Sequence, residues 1–114
     1  MGYLSDEITD EIFDLQRRLL QLINDAAALE LAMLEQFGET EATIPELDEI
    51  LNIKDRATSY YTRLNRLLLQ IFQSQPLADS ATLNLLAQSI SQTRAIVDAG
   101  KANLLEIKRN WKLQ

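Results

Sequence analysis

Residues 6–37 read DEITDEIFDLQRRLLQLINDAAALELAMLEQF, and the fold is decided there. Ile8, Ile12, Leu15, Leu19, Leu22, Ala26, Leu29 and Met33 recur at alternating spacings of four and three. Such spacing returns every member to one face of a helix, so the stretch is one continuous helical seam. Ser5 stands in N-cap position, and Asp6 and Glu7 suit the positive end of the helix dipole. Gly38 supplies a left-handed stop. Phe13, Leu20, Ala27 and Leu34 add a second stripe about 100° round the axis, with Ile23 and Phe37 between, so this helix has apolar surface for two neighbours.

Downstream, Thr43-Ile44-Pro45-Glu46 has the form of a capping box, Thr followed three residues later by Glu, with Pro tolerated in the first turn. The second helix is expected over about 44–74. Its seam reads Leu47, Ile50, Ala57, Tyr61, Leu64, Leu68 and Ile71, flanked by Leu51, Ile53, Tyr60, Leu67 and Phe72. Pro76 ends it, and Asp79 or Ser80 caps a third helix over about 80–112. That helix carries Leu83, Leu86, Ile90, Thr93, Val97, Gly100, Leu104, Ile107 and Trp111 on a narrower, more polar stripe. Short loops make consecutive helices antiparallel. The expectation is one domain over 1–114: an all-α, up-down-up antiparallel three-helix bundle of long helices, with dimerisation as a route to completing it.

Composition narrows function. Among 114 residues there is no histidine and no cysteine, which removes the commonest general base, the commonest metal ligand and the best nucleophile. A di-metal bundle needs Glu-x-x-His pairs, and Glu46 and Glu49 in a first turn are already explained by the helix dipole. Asp98-Ala99-Gly100-Lys101 has a Gly-Lys pair but neither the other glycine nor the hydroxyl residue of a phosphate loop. The expectations are no catalytic residue, no metal site and no cofactor.

The net charge of −6 opposes nucleic-acid binding. No apolar run approaches the roughly 20 residues that span a bilayer. Acids near Met1, where an export signal has basic residues, point to a cytoplasmic protein, in line with the missing cysteine. The charge is divided along the chain: thirteen acids face only Arg17 and Arg18 as far as Ile50, and nine basic residues face four acids thereafter. An up-down-up topology would bring Glu39, Glu41, Glu46, Asp48 and Glu49 beside Lys101, Lys108, Arg109 and Lys112. At the other end it would bring Asp10, Glu11 and Asp14 near Arg63 and Arg66. These are read as internal pairs that set register.

Two groups of residues are candidates for function. Ala26, Ala57 and Gly100 fall at one level of the folded chain, a waist of small residues that is either a close approach, with Tyr60 or Tyr61 filling space, or a gap for a ligand or helix. Phe13, Leu20 and Leu34 leave more apolar surface than three slim helices bury, and Leu31, Leu69, Leu85, Leu105 and Leu113 add to it. Trp111 should cover the bundle end near Phe37 and Ile44.

The long first helix, the acidic loop at Gly38-Glu39, the second helix with Leu47, Leu51 and Lys54, and the Asn103-Leu104-Leu105 ending together resemble the layout of bacterial flagellar export chaperones. That resemblance implies a small acidic bundle that holds a late export substrate in the cytoplasm; it assigns no residue. The residues themselves point to a non-enzymatic protein–protein interaction module that forms a homodimer or docks a partner helix. A substrate-holding chaperone is the alternative, and a small-ligand sensor using the waist is a third reading.

Overall fold

The computed structural model describes residues 4–74 and 79–113. They form α1 (Asp6–Phe37), α2 (Ile44–Gln73) and α3 (Ser80–Asn110), with no strand among the described residues. Glu11 meets Arg94 and Phe37 meets Trp111, so α1 and α3 run in the same direction. Lys54 meets Glu30 and Trp111 meets Glu46, so α2 runs against both. The result is an up-down-up three-helix bundle, a rod of 54 × 21 × 17 Å.

The helix ends follow local chemistry, with one departure from expectation. Ser5 Oγ accepts from the Ile8 backbone N–H at 3.2 Å, and Asp79 Oδ1 accepts from that of Thr82 at 2.7 Å. Gly38 ends α1 with φ +73° and ψ −174°. That extended conformation at positive φ is essentially restricted to glycine, and it differs from the expected left-handed helical one. The capping box at Thr43 does not form. Thr43 is itself helical and makes no side-chain cap. Its buried hydroxyl instead accepts from the Thr40 N–H and donates to the Gly38 carbonyl, both at 2.8 Å. Closing the tight loop takes the oxygen that a cap would have used, and Glu46 accepts from the Trp111 indole N–H at 3.2 Å. Pro76, expected to end α2, lies outside the described residues.

α3 stops at Asn110, two residues short of expectation. Lys112 takes φ +55°, its N–H returns to Arg109 O, and the Leu113 N–H returns to Lys108 O at 2.8 Å. These two bonds are a Schellman closure, which lays Leu113 against the core. The leucine expected outside the seams is therefore part of the packing.

The core follows the three seams. From Ile12 to Met33, every residue of the α1 seam is buried. Ile8 is more exposed, being near the helix start. On α2, Ile53 and Leu67 join the buried set, whereas Leu51 and Phe72 face outward. The α3 contribution is partly polar: Thr82, Ser89 and Thr93 are buried, and the Thr93 hydroxyl donates to the Ser89 carbonyl at 2.6 Å. Gln16, outside the expected seam, is buried as well, with no acceptor for its Nε2 among the described residues.

Candidate interaction surface

The α1 stripe stays outside the core. Phe13, Leu20 and Leu34 are 54%, 51% and 41% exposed. A row spaced by seven holds its angle to a supercoiled core, so these residues and Ala27 run straight along one flank of the helix.

The Lys54–Glu30 bridge, 2.8 Å long, identifies which flank. Glu30 lies three residues beyond Ala27 and four before Leu34, hence just inside the stripe on the α2 side. Lys54 stands in the same relation to Leu51 and Thr58. Because the helices are antiparallel, the row that begins at Leu51 on α2 runs down this flank as the row that begins at Phe13 on α1 runs up it. Leu51, Thr58, Asn65 and Phe72 are themselves spaced by seven, and Leu51 and Phe72 are 45% and 50% exposed. Two parallel rows therefore border one outer groove between α1 and α2. Each row ends in large apolar residues, Phe13 and Leu34 on α1 and Leu51 and Phe72 on α2, with the smaller Ala27, Thr58 and Asn65 between. The α2 row was missed in the sequence because Leu51 and Phe72 look like core flankers there; the signal available was their seven-residue spacing from Thr58 and Asn65.

The charges are arranged differently from the expected internal pairs. Arg94 bonds Glu11, and Arg18 bonds Asp14 at 2.9 Å along α1. Arg63 turns to Gln92 at 3.3 Å and stacks over the Tyr60 ring. Among the described residues, no ion pair joins Lys101, Lys108, Arg109 or Lys112 to the acids of the loop and the α2 start. The polar contacts from α3 to those acids are that of the Trp111 indole with Glu46, at 3.2 Å, and the longer one from Asn103 to Glu49, at 3.5 Å.

Of the residues expected to form a waist, Ala26, Ala57 and Gly100 are each buried, but the atoms nearest Gly100 belong to Leu22 and Ile53, not to either alanine. A Cβ at Gly100 would stand 2.8 and 3.2 Å from the Leu22 methyls and 3.5 Å from an Ile53 methyl. The missing side chain is thus replaced by Leu22, one turn before Ala26. Neither Tyr60 nor Tyr61 is among the atoms nearest that position. A second depression of about 420 Å³ lies between the starts of α1 and α3, lined by Leu4, Ile8, Leu83, Leu86 and Ile90, with Glu11 and Arg94 at its edge. The expected end plug is present, with Trp111 and Phe37 ring centroids 5.0 Å apart at 61°.

The Asp79 carboxyl is held below the usual carboxylate range, first by the Thr82 backbone N–H and then by the Thr82 side chain. Both bonds belong to a helix cap. Among the described residues, no group of three or more His, Cys, Asp or Glu is placed to hold a metal ion, and no helix is long and apolar enough to cross a membrane. Comparison with known proteins gives no match, whether to family models, to curated proteins or to solved structures.

Proposed function

We propose that this chain is a non-enzymatic protein–protein interaction module of the cytoplasm, working through the outward stripe Phe13, Leu20 and Leu34 of α1. The observation that carries the reading is the exposure of these three large apolar residues in a straight row on a bundle whose core is already closed. Such a row suits helix-face packing, with anchors one or two turns apart on a rigid element. Single exposed apolar residues are ordinary; an aligned series on one flank is the kind of patch that marks a docking surface. The absence of cysteine from the sequence fits a reducing compartment.

Phe13→Asp combined with Leu20→Asp tests it. Both residues are exposed, so helix content should be unchanged by circular dichroism. Association, with itself or with proteins retained from a native extract, should be lost. An assembly retained by the double variant removes these residues from the surface.

A further inference from the structure

We infer that the occupant of the outer α1–α2 groove is a second copy of this chain, packed groove to groove so that the two α1–α2 hairpins form a four-helix layer with α3 on each outer side. The inference rests on the reading of the α1 stripe as a docking surface, and it adds the α2 row and the identity of the partner.

Area is the first support. Phe13, Leu20, Leu34, Leu51 and Phe72 border the groove, and Leu31 and Leu69 stand one step further out on its two rims. Two aromatic side chains of roughly 150–250 Å² each and five smaller leucines, all about half exposed, offer on the order of 600 Å² per copy. Two copies would bury about 1,200 Å², the lower end of the range of roughly 1,200–2,000 Å² for stable specific interfaces.

Self-complementarity is the second support. A two-fold interface requires one patch to match itself. Here each row ends in large exposed apolar residues, Phe13 and Leu34 on α1 and Leu51 and Phe72 on α2, with the smaller Ala27, Thr58 and Asn65 between them. A two-fold axis lying in the interface, along or across the helices, sets apolar ends on apolar ends and the polar middle on itself. The charges beside the two rows, Glu30 and Lys54, already neutralise each other. A strongly charged partner helix would find no complement between the rows.

Sedimentation of the full chain from about 1 μM to about 1 mM spans the affinities expected of such an interface. The wild type should form a dimer. Leu51→Glu with Phe72→Glu, as well as Phe13→Asp with Leu20→Asp, should raise the dissociation constant by about 100-fold or more, because each replaces two large apolar anchors of the interface with buried charge. Helix content and cooperative melting should be retained. Leu85→Glu with Leu105→Glu on α3 should leave the dimer unchanged. A wild type that stays monomeric throughout overturns the second copy as occupant, and the docking reading then stands only if binding to other proteins is lost in the Phe13/Leu20 variant. A dimer broken by the α1 pair but not by the α2 pair overturns the groove and spares the α1 stripe. One broken only by the α3 pair overturns both.

Discussion

Gly100 and Leu22 show how one missing side chain is used. Glycine inside a helix costs about 1 kcal/mol relative to alanine, and here the cost secures room for the Leu22 methyls. Gly100→Leu has no space to occupy and should lower unfolding free energy by about 1–3 kcal/mol in denaturant titration. The coupling is the sharper test. In a Leu22→Ala background the methyls are gone, so Gly100→Ala should add about 1 kcal/mol of helix propensity, whereas in the wild type the clash with Leu22 should cancel most of that gain. Equal effects in both backgrounds would mean that Leu22 is not what the glycine accommodates. Gln16 is a different kind of residue: a buried amide donor with no partner among the described residues, a cost that sequence periodicity alone does not reveal.

At the scale of elements, the three helices were legible in the sequence to within two residues at each end, because the three-four spacing of large apolar residues leaves no competing strand register. The cap at the start of α2 was not, since Thr43 has the right neighbours for a capping box but its hydroxyl is taken by the loop. The α1 stripe was legible as surplus, yet its partner row on α2 was hidden. Leu51 and Phe72 are apolar at helical spacing, and only their exposure in the folded chain shows that they face out, with Lys54–Glu30 marking the flank they share with the α1 stripe. The α3 start makes a pH prediction. Folding lowers the Asp79 pKa through the Thr82 backbone N–H and then the Thr82 side chain. The contribution is therefore complete above the unfolded-state value of about 3.9 and is lost as pH falls through the lower folded one. Amide exchange should show the first turn of α3 loosening below that range in the wild type, and an Asp79→Ser variant, whose cap does not titrate, should not show this step. Identical pH profiles would remove the carboxylate from the account.

Over the whole molecule, the acidic first half and basic second half meet at the loop end without forming the expected contact pairs. Lys108 and Arg109 still favour the negative end of the α3 dipole. Lys108→Glu with Arg109→Glu should lower stability by about 1 kcal/mol at low ionic strength and by much less in about 1 M salt, where the Debye length falls to about 3 Å. A loss that salt does not reduce would point to specific contacts instead. The same end holds Trp111, whose ring meets Phe37 at the close of α1 and whose indole N–H bonds Glu46, 65 residues away at the opening of α2. Helix formation takes about 0.1–1 μs and needs no such meeting, while joining distant parts of the chain carries a loop-closure entropy that local turns avoid. Indole emission in a refolding experiment therefore times the meeting of the end of α3 with α1 and α2, and far-ultraviolet dichroism times the formation of the helices themselves.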